Sequence, residues 1–289
     1  MNFKRLAAAI AALSASTAFA APTFTVPGGQ QLDPFGGIDW ASNGTAFTTT
    51  FNQTAANSGQ QFNFETTYFS YAVPVTGIQR PDGTNYFVPN LVGGSSDRPL
   101  AGTAPLFELT TVATFQETGQ CTNNGANCDF RITGGSFDIY LDQSTNARTG
   151  GAANLNQYRD GTRIIGGNVT SGASNFTATP TGGTGSTSIM GVVTDTNNTF
   201  VTPNLVGTSA TGTLQIGSAE TAFERPGFLG ANTCGAPGAG TAPRACTLVF
   251  QADSNQRFMF GQVPEPGTLA LLGASMLGLG FGARRRTGR

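Results

Sequence analysis

The stretch GSFDIYLD, residues 135–142, puts Phe137, Ile139 and Leu141 on one side of an extended chain and Asp138, Tyr140 and Asp142 on the other. Successive side chains of a strand point to opposite faces, so this segment is a strand with one dry face and one wet face. QQFNFETTYFSYAV sets Phe62, Phe64 and Tyr68 on one face and Phe69 and Tyr71 on the other, which predicts a strand that is buried on both sides or bends midway. PLFELTTVATFQET repeats the alternation through Phe107, Leu109, Ala113 and Phe115. Shorter runs, among them GTAFTTTF, TRIIGG, STSIMGVV, TGTLQIG and CTLVFQ, are separated by Gly, Asn and Ser clusters of the kind that make turns. The expected fold class is all-β, an antiparallel β-sandwich of jelly-roll type, with one short helix near Leu155 and other helix confined to the chain ends.

Composition agrees. The chain has 40 glycines in 289 residues, about twice the usual share, and Phe, at 22, is its most frequent large apolar residue, which suits strands and turns. Three segments follow: 1–20, 21–262 and 263–289. The middle one has the length of a single large β domain.

The first segment, MNFKRLAAAIAALSASTAFA, has a basic start at Lys4 and Arg5, an apolar centre and a small-residue exit. Those are the parts of a secretory signal peptide, with cleavage between Ala20 and Ala21. Export places the four cysteines, Cys121, Cys128, Cys234 and Cys246, in an oxidising compartment. Three disulfide connectivities are open, and two local bridges across CTNNGANC and CGAPGAGTAPRAC are the simplest.

Absent residues narrow the chemistry. The chain has no histidine, and its only lysine, Lys4, lies in the signal peptide. Imidazole bases, Schiff-base lysines and phosphate-binding lysines are therefore missing from the mature chain, and the expectation is a protein without catalytic residues. Between the two end segments nine arginines face fifteen acids, a net charge of 9 − 15 = −6, which does not suit nucleic acid. A glycosidase needs two carboxyls roughly 5 to 9.5 Å apart. Asp138 and Asp142, four residues apart on one strand, stand about 13 Å apart at ~3.3 Å per residue, and so do not form that pair.

The bend DQSTN offers oxygens at alternate positions, as calcium loops do. Asp142, Ser144 and Asn146, with Asp160 from the next turn, make a candidate calcium set, although the glycine and closing glutamate of an EF-hand are missing. An Asp-rich solvated turn is the competing reading of the same residues. Trp40, Tyr71, Tyr86, Tyr140 and Tyr158 are candidate sugar-stacking rings, against the plainer reading as core aromatics.

The last segment, VPEPGTLALLGASMLGLGFGARRRTGR, holds sixteen uncharged residues from Thr268 to Ala283. As a helix they would reach about 24 Å at 1.5 Å per residue, against ~30 Å for a bilayer core, so the expected transmembrane helix is short. Ala270, Ala274, Gly278 and Gly282 form a small-residue stripe that allows close helix approach, and Arg284, Arg285 and Arg286 would hold the C-terminus in the cytoplasm. With Pro264, Glu265 and Pro266 ahead of this span, the segment resembles the PEP-CTERM sorting signal of exopolysaccharide-producing Gram-negative bacteria. The resemblance implies an exosortase partner, transient residence in the inner membrane, cleavage near the triplet, and delivery to the cell surface or extracellular matrix.

The body also resembles flocculation-associated PEP-CTERM proteins through APTFTV, FDIYLD, the paired cysteine loops and the tail. That implies a structural role among exopolysaccharide or other matrix glycans, in flocculation or biofilm. The alternative is a calcium-assisted matrix lectin, and behind it a carboxylate-dependent glycan hydrolase. No other cofactor is expected.

Overall fold

A computed structural model describes residues 22–72, 77–86, 107–144, 146–147, 154–179, 182–217, 225–238 and 244–259. The predicted signal peptide, with Ala20 and Ala21, and the whole segment from Val263 to Arg289 lie outside the described residues.

The described residues form thirteen strands: β1 (Thr23–Thr25), β2 (Gln31–Leu32), β3 (Gly37–Asp39), β4 (Thr45–Phe51), β5 (Phe62–Tyr71), β6 (Ile78–Gln79), β7 (Glu108–Thr122), β8 (Asn127–Asp142), β9 (Thr162–Thr179), β10 (Gly182–Thr196), β11 (Val201–Thr202), β12 (Ser209–Ile216) and β13 (Cys246–Met259). The main sheet runs β12-β10-β9-β8-β7-β5-β4-β13, and β12 also pairs with β13, from Ser209 opposite Met259 to Ile216 opposite Ala252. Eight antiparallel strands thus form a closed ring. β3 extends it along the upper part of β13, and β6 extends β3.

The all-β antiparallel expectation holds. Its connections are simpler than those of a jelly roll, because each ring strand pairs with its ring neighbours in chain order. The β7–β8 and β9–β10 connections are short enough to force neighbouring strands together. The β7–β8 hairpin reverses at Asn123 and Asn124, both at positive φ, a conformation that Asn tolerates better than most residues.

The ring is filled by side chains. Phe64, Tyr68, Phe115, Phe130, Phe137, Phe176, Leu214 and Phe250 line its interior, while outward positions on β9 and β10 are Thr170, Ser171, Asn175, Thr177, Thr184, Ser186 and Ser188, all exposed. This polar-out, apolar-in pattern is the reverse of a membrane barrel.

Glycine solves the interior packing. Phe137 lies opposite Gly167, Phe115 opposite Gly135, Phe130 and Phe62 opposite Gly119, Phe176 opposite Gly185, and Ile132 opposite Gly172. A Cβ built on Gly167 would collide with the Phe137 ring, and one on Gly119 would meet Phe130. An aromatic ring lying over a cross-strand glycine fills a closed barrel that two large side chains would overfill.

At the barrel end where β7 turns into β8, a short helix α1 (Gln53–Ser58) packs with Phe51, Phe62, Phe176 and three of the cysteines. Its ends are encoded in NQTAANSG, since Asn52 Oδ1 accepts the Ala55 N–H and Gly59 ends the helix at φ 72°. The two local disulfides, Cys121–Cys128 and Cys234–Cys246, close the same end. The Gln53 side-chain amide exchanges two hydrogen bonds with the Gly235 backbone, Nε2 to O at 2.7 Å and N to Oε1 at 2.8 Å, which ties α1 to the second disulfide loop.

At the opposite end a three-stranded sheet, β11-β1-β2, joins β13 through the ring stack Phe24–Phe35–Phe258, with centroids 5.4 and 5.6 Å apart. The expected short helix near Leu155 is a 3-10 turn, Leu155–Tyr158, capped by Asn154. It lays Tyr158 over outward-facing Phe69, and Phe228 covers Phe69 as well, so β5 is buried on both faces over Tyr68–Tyr71, while Asn63 and Glu65 in its first half are exposed.

Candidate functional site

Three places hold groups that could act: an acidic corner beside Asp142, the barrel interior, and the chain beyond β13. The corner forms where β8 ends. Asp142 is 6 % exposed; its Oδ1 accepts the Ser144 N–H at 2.9 Å, and its Oδ2 is buried without a hydrogen-bond partner. Asn146 Nδ2 donates to Asp160 Oδ2 at 2.9 Å, so the four residues singled out in the sequence do converge. Burial raises the pKa of Asp142 above the usual carboxylate range, and the nearby Asp160 carboxyl raises it further, against the Ser144 backbone bond. Glu108, opposite Asp142 on β7 and fully buried, accepts the Ala147 N–H at 2.9 Å and anchors the start of the same loop. The sequence alone does not place Glu108 at this corner. Its signal was its register opposite Asp142, which appears only once β7 and β8 are paired.

Inside the ring lie two cavities of about 40 Å³ each. That is room for a few water molecules and far below the ~300 to 1,000 Å³ of a small-molecule pocket. Phe115 and Leu214 line both and separate them. The first contains Tyr68, whose hydroxyl is buried beside the Ser70 and Ser254 hydroxyls without a hydrogen bond of good geometry, and burial pushes that phenol up. The second contains Glu117, 7 % exposed, among Phe51, Phe64, Phe130, Phe176 and Phe250. Burial pushes the Glu117 carboxyl up to about 7, with the Thr66 hydroxyl opposing.

The aromatics proposed as a sugar platform are elsewhere. Trp40, Tyr71, Tyr86 and Tyr158 are buried, because the small sheet and the loops cover the positions that alternation alone left open. Tyr86 donates to Pro34 O at 2.8 Å beneath the Arg80 guanidinium, and Tyr140 is half-buried beside Asp138. Asp138 itself is bound to Arg163 at 3.1 Å, and Arg163 also holds Asp195. Two further carboxyls differ in setting, since Glu65 on β5 is exposed and Glu108 on β7 is fully buried.

The remaining feature is the end of the chain. β13 finishes at Met259, and the Pro264-Glu265-Pro266 triplet, uncharged span and arginine cluster follow. Residues 262–286 match the PEP-CTERM protein-sorting motif. A PEP-CTERM signal directs export through the membrane to the cell surface and implies processing by an exosortase. No curated protein and no solved structure matches the chain. The PEP-CTERM motif thus follows directly on the last strand of a closed, filled barrel.

Proposed function

We propose that this exported, exosortase-targeted protein is a non-catalytic structural component of a polysaccharide-rich surface matrix, acting in cell aggregation. The reading is carried by a sorting signal attached to a β-barrel whose outer face over most of β9 and β10, beyond the Arg163–Asp195 pair at one end, is uncharged. Residues 164–194 contain no charged side chain, in a domain otherwise rich in acids. Their outward hydroxyls and amides, such as Asn175 bonded to Ser186 at 3.3 Å, suit contact with glycan hydroxyls and leave an anionic polymer unrepelled along that face.

Flocculation and matrix retention of cells lacking the gene, compared with complemented cells, test the proposal. Smaller flocs and release of matrix are expected; flocs and matrix unchanged from the parent would overturn it. The lectin reading is weakened by the burial of its stacking rings. The hydrolase reading has no carboxyl pair in a cleft among the described residues to support it.

A further inference from the structure

We propose that the corner formed by Asp142, Ser144, Asn146 and Asp160 is a calcium site. The Asp142 and Asp160 carboxyls are neighbours at the end of β8, with Asp160 held by the Asn146 amide at 2.9 Å, and as like charges they repel. Asp142 is almost wholly buried, and no protein donor reaches its Oδ2. A buried carboxylate oxygen normally finds a donor or a cation. Arg163 is engaged with Asp138 and Asp195 rather than with Asp142.

A divalent cation between Asp142 and Asp160 removes both defects, because it satisfies Oδ2 and turns the repulsion between the carboxyls into attraction. The four side chains carry two carboxylates, one hydroxyl and one amide oxygen, which is the hard oxygen set calcium takes. Alternation places Asp142, Ser144 and Asn146 along one bend, and Asp160 closes it from just before β9. Magnesium demands near-ideal octahedral geometry and releases its water reluctantly, so an irregular loop of this kind discriminates against it. No group of three or more acidic, histidine or cysteine side chains that could hold a metal occurs among the described residues. Two carboxylates therefore bind in the range of extracellular calcium modules, about 10⁻⁴ to 10⁻³ M. The ion would pin the connection between β8 and β9, beside the barrel end at which β13 stops.

This site stands independently of the matrix role. Metal binding is read on the purified protein, and aggregation is read on cells.

Calcium chloride titrated into the full chain by calorimetry, alongside thermal unfolding, is the test. One ion per chain is expected, with a thermal midpoint a few degrees higher at saturation and no displacement by equimolar magnesium. Asp160→Asn, at an exposed position, should retain the fold and weaken binding at least tenfold, and Asp142→Asn should abolish it. Absence of calcium binding at 10-fold above the millimolar range would overturn the proposal. So would equal affinity in Asp160→Asn, because the ion would then sit elsewhere. If the two carboxyls instead share a proton, calcium leaves the midpoint unmoved, and that outcome also overturns the site.

Discussion

Glu117 on β7 is buried beside Thr66 on β5, and the threonine hydroxyl only partly offsets the cost of keeping a carboxylate inside the barrel. The carboxyl is raised from 4.5 to about 7, so between those values the folded protein holds a proton that the unfolded chain has released. Stability must then fall as pH rises through that window and level off above it, by about 3 kcal/mol at ~1.4 kcal/mol per unit. Urea unfolding at pH 4.5, 6 and 8 measures the slope. Glu117→Gln keeps the shape without the charge, so it should flatten this part of the profile and be more stable than the parent at pH 8. Parallel profiles for the two proteins would show that Glu117 is solvated in solution.

The Phe137–Gly167 pair tests whether glycine content serves the barrel interior. Gly167→Ala places a methyl group within the Phe137 ring edge and close to the Val192 carbonyl, on strands held on both sides. Overpacking of this kind costs about 1 to 3 kcal/mol. The exposed turn glycine Gly207 has open space around it, but its φ of +85° also penalises a side chain, so it is a poor control. Gly227, with open space and no positive φ, is the right one, and Gly227→Ala should change the urea midpoint little. Equal losses at the two positions would remove the packing argument.

Tyr68 offers the opposite sign. Its buried hydroxyl has no hydrogen-bond partner, and leaving such a group unsatisfied costs about 1 to 3 kcal/mol. Tyr68→Phe removes the oxygen and keeps the ring, so stability should hold or rise by about 1 kcal/mol. A loss greater than that, measured by calorimetric unfolding, would mean that water in the adjoining cavity of about 40 Å³ satisfies the phenol.

How much of this was legible beforehand depends on the range of the interaction. The Phe137-Ile139-Leu141 alternation and the two-faced burial of Phe69 were readable because strand period is local. So were the bridges Cys121–Cys128 and Cys234–Cys246, whose partners lie close in sequence. The helix α1 was written in Asn52 and Gly59 but is too short for its periodicity to stand out. Ring closure was not readable, because the pairing of Ser209 with Met259 is a register between distant strands. The same holds for the site residues. Asp142 and Asn146 lie in one bend and announced themselves, whereas Glu117 and Tyr68 looked like ordinary strand residues until the ring closed around them.

Phe115 separates the two interior cavities, and its removal tests whether the barrel is a packed core or a latent container. The ring is 3 % exposed and lines both chambers, so Phe115→Ala should cost about 3 to 5 kcal/mol and join two voids of about 40 Å³ into one larger apolar space. A lined apolar void of ~150 Å³ takes up benzene in other proteins, so saturating benzene should raise the urea midpoint of the variant and leave the parent unmoved. If benzene stabilises the parent as much as the variant, the native interior already opens to ligands, and the barrel belongs with carriers of small apolar molecules rather than with matrix scaffolds. If the variant loses less than about 1 kcal/mol, the strands have closed over the missing ring, and the partition by Phe115 contributes little to the rigidity of the domain.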